Sequence, residues 1–171
     1  MTKITTGKVC DPRGVNSPAH YDTHESGVEA IEVCRYMNFN VGSAFKYVYR
    51  RGDKVEHGMT KNQATKKDLD KAIWYIRDER KNCLGVPVIA YGAFGKGSVA
   101  LALVADSEPQ EDAKTVYKAF VGLGDTYTPD AYLEALEALE VALLNLKKYE
   151  HNAVCEVLQA ACKAARWHHR L

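Results

Sequence analysis

The stretch of sequence that decides the fold reads Gly42-Ser-Ala-Phe-Lys-Tyr-Val-Tyr-Arg-Arg-Gly-Asp-Lys54. On an α-helix, Lys46, Arg50 and Lys54 lie four residues apart on one face, with Tyr47 one step round. Cations that lie along one stripe repel one another unless an anion is placed across them. This stripe is therefore either solvated surface or a face that binds phosphate.

Helices are predicted on both sides of this stretch. Apolar residues recur at helical spacing over residues 26–38 and 65–82, and the basic helix itself is expected over about residues 43–51. Phe39–Gly42 is interpreted as a short turn, and Gly52 as the residue that ends the basic helix. Residues 16–82 are thus expected to form a compact helical domain, preceded by a flexible arm over residues 1–15.

The remaining part, residues 83–171, is also predicted to be mainly helical. Leu84–Ala105 has the pattern of either a short β-hairpin with a glycine loop or the start of a helix. One helix is expected from near Pro109 to about Val121, and Thr128-Pro129 predicts the start of a long helix with a stripe of leucines. A separate last helix is predicted over residues 153–167. The fold class is therefore mainly α.

Composition is that of an ordinary globular protein. The chain has 171 residues, of which 46% are apolar and 26% charged. It has no apolar run near the ~20 residues that a membrane-spanning helix needs, and its N-terminus lacks the apolar segment of a signal peptide. We expect no membrane partner and a cytoplasmic location. The five cysteines include no C-x-x-C pair, which indicates reduced thiols.

Charge is distributed unevenly along the chain, although the net charge is only +1. Residues 40–81 hold eleven Lys and Arg against six Asp and Glu, whereas residues 105–150 hold four against ten. A basic half suits nucleotide phosphates, nucleic acid, or the acidic half of a neighbouring subunit. Together with the leucine-rich helix after Pro129, this predicts a homo-oligomer.

The order of motifs around the basic stretch resembles a small helical domain of tailed phages. The motifs are Ser17-Pro-Ala-His-Tyr21, Val28-Glu-Ala-Ile-Glu-Val33, the basic stretch, and Lys67-Asp-Leu-Asp-Lys-Ala-Ile-Trp-Tyr75. The best-known domain of this kind is part of the nucleotide kinase of phage T-seven. The resemblance covers about residues 16–80, and it departs at Ser43, where the family usually has Asn.

This resemblance implies a phage nucleotide kinase-like protein in the cytoplasm of an infected bacterium. It would transfer a phosphoryl group from a nucleoside triphosphate to a deoxynucleoside monophosphate such as dTMP or dGMP. Lys46 and Arg50 would neutralise and hold the transferred group. The substrate would be bound by residues from three of the four motifs, which are His20, Tyr21, Tyr47, Lys54, Asp68, Lys71 and Tyr75.

Several of these residues have a second interpretation from the sequence alone. Tyr47 and Tyr75 either stack on a base or pack between helices. Asp68 pairs either with Lys71, three residues later, or with Arg50 on the other helix.

Three alternatives to a kinase stay open. The first is a protein that binds nucleotides without turnover, for example one that sequesters a defence signal. The second is an accessory protein that binds protein or DNA, although we do not expect nucleic acid as the partner. The third depends on Glu29 and Glu32, which could hold Mg²⁺ as in the helical nucleotide pyrophosphohydrolases. They lack a convincing partner pair, so no metal site is predicted and Mg²⁺ is not expected to be required.

Overall fold

The computed structural model describes residues 24–82 and 96–168, with side chains described over 24–82 and 97–152. Within these ranges the regular structure is entirely helical. The six helices are α1 (Ala30–Cys34), α2 (Phe39–Tyr49), α3 (Lys61–Asn82), α4 (Lys96–Ser107), α5 (Glu111–Gly124) and α6 (Pro129–His168). The predicted mainly α class is confirmed. The N-terminal arm and the first half of the hairpin alternative lie outside the described residues.

Helix α2 begins earlier than predicted because of a cap that the sequence analysis missed. The side chain of Asn38 accepts a hydrogen bond from the backbone N–H of Val41 at 2.8 Å, which satisfies one of the free donors at the helix start. Phe39–Gly42 is therefore the first turn of the helix, and the interpretation as a separate turn was wrong. Conversely, α1 is a single short turn rather than a helix over 26–38.

In the C-terminal part the structure decides between two alternatives and contradicts one prediction. Ser98–Val104 belongs to α4, so of the hairpin and the helix start that the sequence left open, the structure selects the helix. The two predicted C-terminal helices are one continuous helix, α6, because the residues that join them contain neither Gly nor Pro. Thr128 does begin this helix as predicted, since its hydroxyl accepts a hydrogen bond from the N–H of Ala131 at 3.2 Å.

Helices α2 and α3 form an antiparallel pair that carries most of the predicted site residues. Asn38, before α2, donates to Glu79 near the end of α3 at 2.8 Å, whereas Arg50, after α2, contacts Asp68 in the first half of α3. Gly52 sits between the two helices with a φ of +77°, and a Cβ there would lie 2.3 Å from the Thr65 hydroxyl oxygen. The connection after α2 therefore requires glycine at this position.

A single hydrophobic core extends from α1 to α6. Helix α3 packs on α6, α5 packs on α4 and α6, and α1 contacts both α2 and α4. The centre of the core is aromatic: the ring of Phe45 on α2 lies 5.8 Å from Tyr117 and 5.5 Å from Phe120, both on α5. The N-terminal and C-terminal parts of the chain thus share one core. None of the described helices is both long and apolar enough to cross a membrane.

Ion pairs join the basic α3 to the acidic α6 within one chain. The Glu140 carboxylate accepts from Arg77 Nε at 2.7 Å and from Arg80, which also lies 3.6 Å from Glu137. Lys147 of α6 pairs with Asp70 of α3. Glu140 is therefore buried between the two helices. Some of the charge complementarity between the two halves is satisfied inside the subunit.

We expect Glu140→Gln to lower the free energy of unfolding at pH 7 by roughly 1.5–3 kcal/mol, the range for a hydrogen bond to a charged group. Burial raises the pKa of Glu140, but the bonds from Arg77 and Arg80 outweigh it and the pKa is lowered overall. A lowered pKa stabilises the fold above the unfolded value of ~4.3, and this stabilisation is lost as the pH falls through the folded value. Urea unfolding at several pH values should show the difference from the parent shrinking below about pH 4. Exposed Glu134→Gln is the control, and a deficit that did not change with pH would contradict the account.

Candidate functional site

Six of the predicted site residues lie together on the α2–α3 pair. We call this surface the cation–aromatic face, and its members are Lys46, Tyr47, Arg50, Asp68, Lys71 and Tyr75. The antiparallel arrangement of the two helices brings the second half of α2 beside the first half of α3. Residues that are more than 20 positions apart in sequence therefore surround one aromatic ring.

The ring at the centre of this face is that of Tyr47. The Nζ atoms of Lys46 and Lys71 lie 5.1 and 5.0 Å from its centroid, and the guanidinium carbon of Arg50 lies 4.6 Å away. The ring of Tyr75 is stacked against it at 5.8 Å, with 16° between the planes. An aromatic ring attracts cations through its quadrupole, so Tyr47 offsets part of the repulsion among three converging positive charges. Because the protein's own groups surround it, Tyr47 organises the cations and is a poor platform for a base.

Arg50 and Asp68 form a buried ion pair beneath the face. The guanidinium Nη2 donates to Asp68 Oδ1 at 3.2 Å, and the two residues are 6% and 4% exposed. Of the two partners that the sequence offered for Asp68, the structure selects Arg50. The other carboxylate oxygen, Oδ2, is buried and has no hydrogen-bond partner within the described ranges. Arg50 is therefore a positioning group of the face, and the expectation that it lies on an exposed stripe was wrong.

Lys54 does not belong to the helical stripe on which it was predicted. Helix α2 ends at Tyr49, so Lys54 lies in the following loop and is exposed. It nevertheless stays close to the basic group. The hydrogen bond from Lys67 at 2.6 Å is the main cause that lowers the pKa of Glu56, and the charges of Lys67, Lys71 and Lys54 add to the effect. These lysines surround a single exposed carboxylate at the edge of the cation–aromatic face.

Two exposed aromatic residues beside this face were missed by the sequence analysis. Phe39 is 77% and Trp74 60% exposed, and their rings meet the ring of Tyr75 edge-on at 5.9 and 5.0 Å. The signal was present in the spacing: Phe39 precedes Lys46 by seven residues, and Trp74 follows Lys67 by seven. Residues seven apart share one face of a helix, so each ring could have been assigned to the same surface as the cations. The predicted residues His20 and Tyr21 lie outside the described part of the chain.

The Glu29–Glu32 pair has a structural use. The carboxylate of Glu32 accepts a hydrogen bond from the backbone N–H of Glu29 at 2.9 Å and so closes the start of α1. Among the residues that the structure describes, no three His, Cys, Asp or Glu side chains are grouped to hold a metal ion. The Cys34 thiol is half-buried, and its desolvation raises its pKa to about 12, so it is protonated near neutral pH.

A second polar cluster lines a cleft of about 330 Å³ on another side of α2. Glu108 lies 3.4 Å from both His24 Nε2 and Arg51 Nη2, and Arg51 Nη2 also donates a hydrogen bond to Gln110 Oε1 at 3.1 Å. Burial raises the pKa of Glu108, but the bonds from His24 and Arg51 outweigh it and lower the pKa overall. Because Arg51 already faces Glu108 and Glu150, its charge is largely compensated within the protein. The cluster ties α2 to the start of α5.

Comparison with known proteins finds one family match, in the N-terminal part of the chain. Residues 15–77 match a family described as a protein of unknown function, DUF3310. This is a phage-type family. The match covers α1, α2 and most of α3, and therefore the whole cation–aromatic face. It provides no link to the nucleotide kinase of phage T-seven. No curated protein and no solved structure matches the chain.

Proposed function

We propose that the cation–aromatic face binds the phosphate of a nucleotide, and that the protein transfers a phosphoryl group from a nucleoside triphosphate to a deoxynucleoside monophosphate. The observation that carries the proposal is the convergence of Lys46 and Lys71 on the ring of Tyr47. Neither lysine forms an ion pair with a carboxylate in the described parts of the chain, and both are partly exposed. Cations that are held close together favour an anionic ligand.

The chemistry of phosphoryl transfer fits the groups of this face. Such reactions depend on positioning and on neutralising charge at the transferred group more than on covalent catalysis. Lys46 and Lys71 would bind the phosphate oxygens as point charges, and exposed Lys54 would be available to a longer polyphosphate. Arg50, held by Asp68, would fix the position of Tyr47 and so the distance between the two lysines.

Replacing either lysine should weaken nucleotide binding strongly. We expect Lys46→Ala and Lys71→Ala each to reduce the affinity for dTMP by roughly 10- to 150-fold, since a charge-assisted contact contributes ~1.5–3 kcal/mol. Calorimetric titration measures the effect. Lys118→Ala, an exposed lysine on α5, is the matched control and should bind like the parent. Equal affinities in all four proteins would contradict the proposal.

A second candidate, nucleotide binding without turnover, is favoured by the burial of Arg50. In the described residues, Asp68 is the carboxylate of the face, and it is engaged by Arg50 rather than positioned as a base. A chromatographic assay of phosphoryl transfer from a triphosphate donor to dTMP separates the two functions. Turnover that disappears in Lys46→Ala supports the kinase, whereas tight binding with no product supports a binding protein.

Any turnover should depend only weakly on divalent metal. The lysines themselves supply charge neutralisation, and Glu32 is occupied by its helix cap. We expect activity in chelator to stay within a few-fold of that with Mg²⁺, and Glu32→Gln to leave the activity unchanged. Complete loss of activity in chelator, together with loss in Glu32→Gln, would instead support the pyrophosphohydrolase-like alternative.

The proposal also includes a cytoplasmic location in an infected bacterium and a homo-oligomeric state. The cytoplasmic location follows from the proposed substrate, because the protein must meet its nucleotides there. The oligomer rests on apolar side chains of α6 that are exposed in a single chain, namely Val141, Leu144 and Tyr149. Light scattering measures the mass in solution, and a monomer at micromolar concentration would contradict this part of the proposal.

A further inference from the structure

The two exposed aromatic residues occupy one end of the surface whose other end is cationic. Phe39 is the first residue of α2 and Lys46 lies two turns later, while on α3 Lys71 is followed by Trp74 on the same side. Both exposed rings meet Tyr75, which in turn stacks on Tyr47. Aromatic surface and positive charge are therefore contiguous.

We propose that Phe39 and Trp74 form a base subsite, which stacks the base of the nucleotide whose phosphate binds Lys46 and Lys71. The inference rests on the proposed function and extends it to the part of the ligand that the lysines cannot recognise. Tyr47 cannot serve this purpose because the three cations and Tyr75 surround its ring. The sequence suggested that Tyr47 stacks on a base, but the exposed rings of Phe39 and Trp74 are better placed to do so.

The spacing of the two subsites fits a single nucleotide. Lys71 and Trp74 are three residues apart on α3, and side chains at this spacing are neighbours, with Cβ atoms about 5–6 Å apart. A base stacked on Trp74 thus keeps its 5′-phosphate within reach of the Lys71 ammonium. A flat, uncharged ring tethered to a phosphate is the chemistry that matches an aromatic pair beside two converging cations.

The base subsite predicts little discrimination among bases. Every base has a π-face, and the Phe39 ring offers no hydrogen-bond donor or acceptor. We therefore expect dTMP and dGMP to bind within a few-fold of each other, with affinity set by stacking and by the phosphate contact.

The test compares dTMP with 2-deoxyribose 5-phosphate, which carries the same sugar and phosphate but no base. In the full chain, Trp74→Ala and Phe39→Ala should each weaken dTMP binding by roughly 5- to 150-fold, the range for one base stacked on an aromatic ring. Their affinity for 2-deoxyribose 5-phosphate should stay that of the parent, whereas Lys71→Ala should weaken both ligands. Tyr127→Ala, an exposed aromatic residue before α6, is the matched control and should change neither.

The outcomes separate this inference from the proposed function. If Lys71→Ala weakens both ligands while Trp74→Ala changes neither, the base subsite is wrong and the phosphate site stands. If the parent binds neither ligand, the proposed function fails and the base subsite fails with it. If Trp74→Ala lowers the mass of an oligomer in light scattering and leaves dTMP binding unchanged, the rings form a contact between subunits, which also overturns the inference.

Discussion

Arg50→Ala is expected to lower the free energy of unfolding by about 3–5 kcal/mol, the cost of leaving one charge of a buried ion pair without its partner. The substitution removes the guanidinium that donates to Asp68 Oδ1 at 3.2 Å. Since Asp68 is 4% exposed and its other oxygen is already buried, the carboxylate cannot be resolvated without local unfolding. Urea unfolding of the parent and the variant measures the difference.

Controls distinguish the buried pair from a general effect of lost positive charge. Lys54→Ala removes an exposed lysine from the neighbouring loop and should change stability by no more than about 0.5 kcal/mol. The double variant Arg50→Met with Asp68→Leu should recover most of the lost stability, because two apolar groups carry no desolvation cost. A loss below about 1 kcal/mol in Arg50→Ala would show that Arg50 is in effect a surface residue.

Phe45→Ala is expected to lower the free energy of unfolding by about 3–5 kcal/mol, because it opens a cavity at the centre of the core. The ring is fully buried and lies 5.9 Å or less from the rings of Tyr49, Tyr117 and Phe120. Two of these neighbours belong to α5, outside the residues that match the family. The loss should therefore appear as one cooperative transition at a lower urea concentration, without a second transition.

The control for Phe45 is Val55→Ala, an apolar but exposed position in the loop after α2. It should change stability by no more than about 0.5 kcal/mol. Two separate transitions in Phe45→Ala would mean that residues 16–82 fold as an independent domain, as the sequence analysis predicted, and that the shared core contributes little to stability.

The helices could be predicted from the sequence where the apolar spacing agrees with the residues that begin or end a helix. The apolar spacing of α3 and the Thr128-Pro129 start of α6 each gave the correct element. The start of α2 could not be predicted in the same way. Asn40 and Gly42 are typical of a turn, and the cap that overrides them is one hydrogen bond from Val41 to the Asn38 side chain.

It was easier to predict which residues share one surface than to predict how buried each of them is. Helical spacing and the family resemblance together selected Lys46, Tyr47, Arg50, Lys71 and Tyr75, which the structure brings to one surface. The burial of a side chain, however, depends on which residues of the neighbouring helix cover it. The periodicity of α2 alone does not show that Arg50 is buried against Asp68 of α3. Spacing could place Phe39 and Trp74 on the same helix faces as the cations. That their rings stay exposed could be recognised only once α2 and α3 were placed side by side.

The most direct test of the central claim is a crystal structure of the full chain with bound dTMP. The account predicts that the phosphate lies within hydrogen-bond distance, ~2.7–3.0 Å, of the Nζ atoms of Lys46 and Lys71. It also predicts that the base lies against the ring of Trp74. A nucleotide bound instead in the cleft beside His24 and Arg51, with the cation–aromatic face unoccupied, would contradict the account.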